Sequence, residues 1–226
     1  MNPEVDVAKM SEIMEEFNRK NHWEKIYQTK SLNEVSWYQP KPEISLDFVQ
    51  KFNLSKTAKI IDVGGGDSFF VDHLLELGYQ NITVLDISEA AIERAQARLG
   101  EKATLVNWVV EDVTNFHSIE QYDFWHDRAA FHFLTDKEDV EKYVATVSKN
   151  IKDNGVLVIG TFSEEGPKKC SGIDIHQYSE HTLTNVFSQF FDKMECTNID
   201  HNTPFDTIQN FVFCSLKKMS QLNDES

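Results

Sequence analysis

The chain has 226 residues, 40% of them hydrophobic, which is typical of one globular domain with a full core. Its 37 acidic and 22 basic side chains give a formal net charge of −15. This charge disfavours nucleic acid as a partner, because binding to the phosphate backbone depends on clustered Lys and Arg. An acidic N-terminus without an apolar centre, and the lack of any run long enough to span a bilayer, predict a cytoplasmic protein with no membrane partner.

The cysteines predict neither a disulfide framework nor a zinc site. The chain has three of them, Cys170, Cys196 and Cys214, and they lie far apart in the sequence. We therefore expect reduced thiols.

Residues 1–50 are predicted to form an N-terminal segment of helix and aromatic side chains that precedes the main domain. Apolar residues recur at helical spacing at Val7, Met10, Ile13, Met14 and Phe17. The segment then becomes rich in Trp and Tyr. It closes with Pro40 and Pro42, which would break a helix.

After Lys56, strand-like runs alternate with helical stretches. Strands are predicted at KIIDV, ITVLDI, TLVNWVV, YDFWH and VLVIGTF. This alternation is typical of an α/β fold with a parallel sheet covered on both faces. Near the C-terminus, KMECTNID and IQNFVFCSLKK are separated by a short loop, which predicts an antiparallel pair at the end of the sheet. The last residues, 219–226, are predicted to be a disordered tail.

The stretch IIDVGGGDSFF, residues 60–70, predicts a ligand-binding turn between a strand and a helix. Backbone N–H groups and a helix N-terminus would face the ligand there. A dinucleotide fingerprint would need a third glycine where Phe69 stands, and a phosphate loop would need Gly-Lys-Ser or Gly-Lys-Thr where Asp67 and Ser68 stand. The turn therefore favours a nucleoside with a positive or zwitterionic tail.

Two aspartates follow later strands. Asp86 comes about 20 residues after the glycines, where an acid can accept hydrogen bonds from both ribose hydroxyls. Asp112 ends the third strand, where its carboxylate could accept from an adenine amino group while the backbone N–H of Val113 faces a ring nitrogen. Taken singly, each aspartate could instead be a helix cap or a solvated strand end.

The motifs DVGGGDS, VLDIS, EDV and YDFWHD, in this order after successive strands, resemble the class I S-adenosylmethionine-dependent methyltransferases over roughly residues 56–218. The resemblance implies a Rossmann-like three-layer sandwich with a seven-stranded, mostly parallel sheet, an antiparallel last strand and an N-terminal helical cap. It makes residues 51–218 the methyltransferase domain. The implied cofactor is S-adenosyl-L-methionine, with S-adenosyl-L-homocysteine as the product.

The resemblance also assigns the cofactor contacts. Asp62 and the glycine turn would hold the methionine end, Asp86 the ribose, and Asp112 with Val113 the adenine. Ser68 stands where the family often has glycine, so its hydroxyl either donates to the cofactor or caps the helix. The full predicted cofactor set is Tyr27, Trp37, Asp62, Gly64, Gly65, Gly66, Ser68, Asp86, Ile87, Asp112, Val113 and His126.

A narrower resemblance is to small bacterial methyltransferases that carry WHDRA-F-HFL, an HW-x-x-x-Y entry and a C-S-G loop. Some protein-lysine methyltransferases share the HW and Tyr entry and the strand-end Asp, although their Lys-Gly-Thr is absent here. Tyr27 and Trp37 are predicted to cover the cofactor, because aromatic faces attract a sulfonium and exclude water. For Trp23 we favour packing of a docking helix.

Methyl transfer is an in-line displacement, so the enzyme contributes mainly alignment and desolvation. Asp127 and His126 are the predicted catalytic residues: Asp127 would orient or deprotonate the acceptor, and His126 would touch the cofactor mainly through its backbone. The alternative makes Asp127 and Arg128 a surface pair that caps the next helix, with His132 buried by packing. The sequence leaves both interpretations open.

Other polar residues are weaker candidates. Cys170, His176, Tyr178 and His181 match no zinc spacing, so no metal is predicted. His201 and Gln209 could line an acceptor pocket or cap a loop.

The leading hypothesis is transfer of a methyl group from S-adenosylmethionine to a small molecule or a protein side chain. The alternatives are an NAD-dependent oxidoreductase on a Rossmann-like sheet and a non-catalytic cofactor-binding protein. No adjacent prolines occur, so the Asn/Asp-Pro-Pro-aromatic motif with which amino-methylating nucleic-acid enzymes grip a base is absent. The acceptor and the oligomeric state are not encoded in local motifs.

Overall fold

The computed structural model describes residues 17–220. The strands are β1 Lys59–Val63, β2 Asn81–Asp86, β3 Val106–Val110, β4 Tyr122–Arg128, β5 Ile151–Phe162, β6 Lys169–Cys170, β7 Ile173–Asp174, β8 Phe191–Asn202 and β9 Ile208–Lys218. The helices are α1 Arg19–Thr29, α2 Glu43–Lys51, α3 Phe70–Glu76, α4 Glu89–Leu99, α5 Lys137–Asn150 and α6 Glu180–Phe187. Short 3-10 turns lie at Leu32–Glu34, Gly100–Leu105 and Phe131–Phe133.

Seven of these strands form one sheet, in the order β3-β2-β1-β4-β5-β9-β8. Neighbouring strands from β3 to β5 are parallel, whereas β9 runs antiparallel to both β5 and β8. Strands β6 and β7 form a separate two-stranded sheet. The predicted Rossmann-like α/β class, with a mostly parallel sheet and an antiparallel last strand, is confirmed.

The strand order reverses at β1, which lies between β2 and β4. The chain leaves β1 toward one side of the sheet and later returns to β4 on the other side. In sheets of this kind the loops diverge at such a point and open a crevice beyond the carboxyl ends of the strands. The glycine turn, residues 64–66, follows β1 directly and therefore lies at this crevice.

Alternate side chains of the strands form two cores, one on each face of the sheet. Trp125 and Ile61 belong to the core that includes Tyr143 of α5. Phe124 and Ile60, the adjacent residues, belong to the core that includes Phe70 of α3. This two-residue period explains why the strands read as continuous apolar runs: both faces are buried by helices.

Helix α1 docks through polar contacts, since none of its residues is fully buried. Its Glu24 accepts hydrogen bonds from the Ser88 hydroxyl (2.8 Å) and from Ala90 N at the start of α4. Arg94 of α4 donates to the backbone oxygens of Tyr27 (2.9 Å) and Lys30 (2.7 Å) near the C-terminal end of α1. Contacts from the middle and from the C-terminal end of α1 thus fix this helix along α4.

Part of the predicted N-terminal segment and tail lies outside the described residues. This applies to Val7, Met10, Ile13 and Met14 of the apolar stripe and to residues 221–226. Phe17, the last member of the stripe, is 55% exposed. Within residues 17–220, no helix has the length and apolar character needed to cross a membrane.

The expectation of three reduced thiols is wrong. Cys196 and Cys214 form a disulfide that joins β8 to β9, with their Cα atoms 4.2 Å apart. The two residues are register partners in the antiparallel pair, although 18 positions separate them in the sequence. Sequence spacing does not reveal which residues of two strands lie opposite each other, so the pairing was missed. Cys170 is free and buried.

Reduction of this disulfide is expected to lower the free energy of unfolding by about 2–4 kcal/mol, because the bond restricts the unfolded chain. Urea unfolding with and without dithiothreitol measures the difference. The variant Cys196→Ser, which cannot form the bond, is the matched control and should not respond to reductant. Superimposable curves for the wild-type protein in both conditions would contradict a stabilising bond.

Candidate functional site

Two carboxylates lie against the glycine turn so closely that side chains there would collide with them. A Cβ atom on Gly65 would lie 2.4 Å from Oδ2 of Asp62. A Cβ atom on Gly66 would lie 2.6 Å from Oδ2 of Asp86, and Gly66 also has a positive φ of 29°. Glycine is therefore required by close approach as well as by backbone conformation.

Asp62, in β1, is held by His126 of the neighbouring strand β4. His126 Nδ1 donates to Asp62 Oδ1 over 2.6 Å, and the hydroxyl of Ser45 lies 2.8 Å from the other ring nitrogen. All three side chains are buried. The second oxygen of Asp62, Oδ2, is buried without a hydrogen-bond partner in residues 17–220. This oxygen remains available as an acceptor for a ligand.

Asp86 ends β2 and is buried at the same edge. Its Oδ1 accepts a hydrogen bond from Ser88 N over 2.8 Å. Burial raises the pKa of Asp86 to about 7, against a lowering contribution from that backbone hydrogen bond. At neutral pH this carboxyl is thus close to half protonated, and hydroxyl donors of a ligand would favour its ionised form.

Asp112, beyond the end of β3, already has several partners. Its Oδ1 accepts from the backbone N and the hydroxyl of Thr114, at 2.9 and 2.8 Å. Its Oδ2 accepts from Nη2 of Arg19 in α1 (2.9 Å), and Nη1 of the same arginine reaches Asp139 of α5 (2.7 Å). Asp112 therefore anchors α1 in addition to lining the site.

The predicted cofactor residues surround two adjoining cavities at the carboxyl edge of the sheet. The main cavity extends from the tips of β2 and β3 toward β5 and β9, and its lining includes Gly64, Asp86, Ile87, Asp112 and Val113. The second cavity lies over β1 and the glycine turn, and its lining includes Asp62, Gly65, Ser68 and His126. Tyr27 and Trp37 line both cavities.

Gly66 is the one member of the predicted cofactor set that lines neither cavity. Its close approach to Asp86 shows instead that it makes room for that carboxylate. The structure thus brings the predicted residues together, while the ligand group that each one contacts stays a prediction.

Ser68 and Asp67 serve the turn itself. Ser68 Oγ accepts a hydrogen bond from Phe70 N over 3.1 Å, which is the capping alternative, although Ser68 also lines the second cavity. Asp67 is buried and forms an ion pair with Arg94 Nε (2.9 Å) and a second one with Arg98. Burial raises the pKa of Asp67, against the lowering effect of the two arginines. Arg94 therefore connects the glycine turn to α1.

Asp127, the predicted catalytic carboxylate, points away from both cavities. It is buried, and its Oδ1 accepts from the backbone N atoms of Ala130 and Phe131, both at 3.1 Å. Its Oδ2 accepts from the Tyr143 hydroxyl over 2.7 Å. Burial raises the pKa of Asp127 to about 6, against a lowering effect of these hydrogen bonds. The geometry favours the capping alternative, although the cap is a buried one and not a surface pair with Arg128.

Aromatic rings cover the main cavity from the N-terminal side. Trp23 lies 5.7 Å from Trp37 and 4.7 Å from Phe133, measured between ring centroids. Tyr27 lies 6.2 Å from Trp37. Trp23, for which helix docking was favoured, lines the main cavity together with Tyr27 and Trp37.

The sequence interpretation missed several lining residues that come from distant elements: Arg19, Phe133, Phe162 and Phe211. Phe133 lies in the WHDRA-F-HFL motif but was not singled out, no local motif marks the other three, and only the strand order brings Phe162 and Phe211 to the cavity. His201 and Gln209 line neither cavity. His201 instead binds the segment after α1, through Ser36 O (2.7 Å) and the Gln39 side chain (3.2 Å).

His132 is buried by packing, as one alternative predicted. Its Nδ1 accepts from Phe162 N over 3.2 Å, and its ring stacks on that of Phe162. Burial, with a further contribution from Arg128, lowers the pKa of His132 to about 3, so the ring is neutral. No cluster of three or more His, Cys, Asp or Glu side chains suited to a metal ion occurs in residues 17–220.

Comparison with known proteins finds similarity to methyltransferases. A family model described as a methyltransferase domain matches residues 61–157. A ubiquinone biosynthesis O-methyltransferase of Rickettsia conorii is 23% identical over 190 residues, which cover 82% of this chain and 64% of that protein. The human EEF1A lysine methyltransferase 2 is 24% identical over 192 residues, which cover 78% of this chain and 75% of that protein.

The chain spans less than two thirds of the length of several relatives, including 64% of the Rickettsia protein and 24% of a mouse eEF1A lysine and N-terminal methyltransferase. The fold is shared with N-methyltransferase NodS of Bradyrhizobium japonicum, solved with S-adenosyl-L-homocysteine. The TM-score is 0.67 at 15% identity, over 90% of this chain and 100% of that one. The four motifs, the strand order and these matches agree: residues 61–157 match a methyltransferase domain, and the chain has the fold of S-adenosylmethionine-dependent methyltransferases.

Proposed function

We propose that the protein transfers a methyl group from S-adenosyl-L-methionine to a small molecule or a protein side chain by in-line displacement. The observation that carries the proposal is the convergence of Asp62, Asp86 and Asp112, from the ends of three adjacent strands, around the glycine turn. These strands lie beside the reversal in strand order, where sheets of this class bind nucleosides.

The side chains present fit this cofactor. The buried, unpartnered Oδ2 of Asp62 is an acceptor for the ammonium group of the methionine end. Asp86 is placed to accept from ribose hydroxyls, and the glycine turn leaves space that any Cβ would fill. Arg94 and Arg98 are bound to Asp67, so neither of them is placed to bind a phosphate at the turn.

When bound, the cofactor supplies an electrophilic methyl group on a sulfonium. The chain contributes orientation and exclusion of water. Tyr27 and Trp37 line both cavities, so their rings lie beside the junction where the methyl group would be transferred. Aromatic faces stabilise a nearby cation by roughly 0.5–2 kcal/mol. His126 is a positioning residue, since its ring fixes one oxygen of Asp62.

The names of two relatives point to two kinds of acceptor: the Rickettsia protein is an O-methyltransferase of ubiquinone biosynthesis, and the human protein is a lysine methyltransferase of EEF1A. We therefore keep both classes in the proposal. Exclusion of nucleic acid rests on the charge of −15 and on the missing proline motif. A cytoplasmic location remains a prediction, and the Cys196–Cys214 bond argues against it because disulfides persist mainly in oxidising compartments.

Binding of S-adenosyl-L-homocysteine should depend on the ionisation of Asp86. Because ribose hydroxyls donate to the carboxylate, binding favours the ionised form, and Asp86 of the free protein has a pKa of about 7. Affinity should be highest above pH 7 and should fall by up to about tenfold for each pH unit below it. Calorimetric titrations from about pH 5.5 to about pH 8.5, on both sides of that pKa, measure this profile.

The matched control is Asp86→Asn, which keeps the size of the side chain but cannot ionise. It should weaken binding by about 1.5–3 kcal/mol and give a flat pH profile. An unchanged affinity in the variant would remove Asp86 from the cofactor site. Binding of NAD by the wild-type protein without binding of S-adenosyl-L-homocysteine would overturn the proposed function.

Asp127 is either a structural cap or a carboxylate that acts on the acceptor, and the variant Tyr143→Phe distinguishes these two roles. This substitution removes one hydrogen bond from the buried carboxylate and leaves Asp127 itself unchanged. If Asp127 is a cap, the loss of this hydrogen bond should lower the free energy of unfolding by about 1–3 kcal/mol. Methyl transfer, measured as tritium moved from labelled cofactor into a cell lysate, should change less than about threefold.

Tyr122→Phe is the matched control, since Tyr122 is also buried beside Trp125 but its hydroxyl makes only a long contact with Thr83, at 3.5 Å. It should destabilise the protein less than Tyr143→Phe does. A large loss of methyl transfer in Tyr143→Phe with unchanged stability would instead assign Asp127 to the acceptor. Absence of any transfer by the wild-type protein would count against catalysis itself.

A further inference from the structure

Arg128, at the end of β4, forms no ion pair with an acidic side chain within residues 17–220. The chain has four arginines, and the other three form ion pairs with aspartates: Arg19 with Asp112 and Asp139, Arg94 with Asp67, and Arg98 with Asp67 and Asp72. Arg128 makes one hydrogen bond within residues 17–220, from Nη1 to the backbone oxygen of Trp37 (3.1 Å). Its Nη2 is buried and has no partner in that part of the chain.

The guanidinium nevertheless remains charged. Burial lowers the pKa of Arg128 to about 10, against a raising contribution from Asp62, so the group is protonated at neutral pH. A buried charge with unsatisfied donors is unfavourable unless a partner completes it. A suitable partner is a negatively charged group that accepts hydrogen bonds. Arg128 lines both cavities, so a ligand bound there could supply such a group.

Arg128 lies between the second cavity and the part of the main cavity formed by β5 and β9, because it lines both. Its guanidinium lies over the ring of Phe211 of β9, 5.2 Å from the centroid, and it pairs in the sheet with Gly160 of β5. Phe162, Cys170 and Phe211 line the main cavity around it. The predicted nucleoside contacts come from β1, β2 and β3, on the other side of the reversal in strand order. The part of the main cavity near Arg128 therefore differs from the part at the ends of β2 and β3, because it has apolar walls and one cation.

We propose that Arg128 binds a carboxylate of the methyl acceptor, so that the acceptor is a small anionic molecule with an apolar body. This inference rests on the proposed function and narrows it to one acceptor class. The planar guanidinium matches a carboxylate with paired hydrogen bonds, and the rings of Phe162 and Phe211 suit an apolar or aromatic body. A lysine ammonium would meet a like charge in a site screened from water.

The overall charge strengthens the case for a dedicated cation. A chain with a net charge of −15 repels anions in general, and its acidic groups would assist a cationic acceptor. No carboxylate lines the cavity around Phe162, Cys170 and Phe211 in residues 17–220; those of the main cavity are Asp86, Glu111 and Asp112, at the ends of β2 and β3. The protein as a whole therefore repels anions, whereas Arg128 attracts an anionic acceptor locally.

The test uses three fluorinated probes that differ in charge: 4-fluorobenzoate, 4-fluorobenzamide and 4-fluorobenzylamine. Each is titrated by fluorine NMR into the full-length protein saturated with S-adenosyl-L-homocysteine. The wild-type protein should bind the benzoate at least about fivefold more tightly than the amide, and the amine most weakly, because only the benzoate can form charge-assisted hydrogen bonds with the guanidinium.

The variant Arg128→Met should lose about tenfold or more of the benzoate affinity while the amide affinity stays within about threefold. Arg128→Lys keeps the charge but loses the planar fork, so it should retain part of the preference for benzoate. The lysine variant also keeps the test valid if the methionine variant does not fold, which thermal melting would reveal.

Several results would overturn the inference: equal binding of benzoate and amide by the wild-type protein, no binding of benzoate, or preferred binding of the amine. A loss of about tenfold in affinity for S-adenosyl-L-homocysteine in Arg128→Met would assign Arg128 to the carboxylate of the cofactor and would also overturn it. Failure of the wild-type protein to bind S-adenosyl-L-homocysteine is a different outcome, because it contradicts the proposed function itself.

Discussion

The close approach of buried carboxylates to the glycine turn after β1 is the constraint on which the site depends. Asp62 and Asp86 come so near to Gly65 and Gly66 that a methyl group on either glycine would overlap a carboxylate oxygen. This packing brings two acidic groups out of water, and burial raises the pKa of Asp86 to about 7. Such groups are unfavourable in the free protein and become favourable when a ligand supplies donors and positive charge.

The same site residues hold the N-terminal helix in place. Arg94 links Asp67 of the glycine turn to the backbone of α1, and Arg19 of α1 binds Asp112 beyond β3. Because α1 has no fully buried side chain, these polar contacts contribute to its position together with the packing of Trp23 against Phe133. The covering of the main cavity by aromatic rings is thus coupled to the carboxylates that line it.

The two halves of the sheet edge carry different side chains because the strand order reverses at β1. Strands β1, β2 and β3 supply acids and glycines, whereas β4, β5 and β9 surround the other part of the cavity with rings and Arg128. An acidic half suits a cofactor that carries positive charge. Arg128 has no acidic partner within residues 17–220, so the half that contains it suits an acceptor of the opposite charge, and the methyl group would pass between the two halves.

Sequence reasoning predicted the residues of the acidic half of the site because they lie in local motifs. Asp62, Gly64, Asp86 and Asp112 each follow directly from a strand pattern, and parallel strands bring their carboxyl ends to one edge. The order of the four motifs along the chain carries the family resemblance, and that resemblance implies the seven-stranded sheet.

Features that depend on pairing between distant elements were not predictable. The Cys196–Cys214 disulfide depends on the register of β8 and β9. The burial of Asp127 depends on Tyr143, one helix later in the chain, and the isolation of Arg128 depends on what the other arginines bind. Local spacing carries no information on such tertiary partners.

The most direct test of the central claim is a crystal structure of the protein with S-adenosyl-L-homocysteine. The account predicts density for the ligand across the carboxyl edge of β1, β2 and β3, with its ribose at Asp86 and its amino group beside Asp62. Ligand density away from this edge, or an edge that stays empty at saturating ligand, would contradict the account.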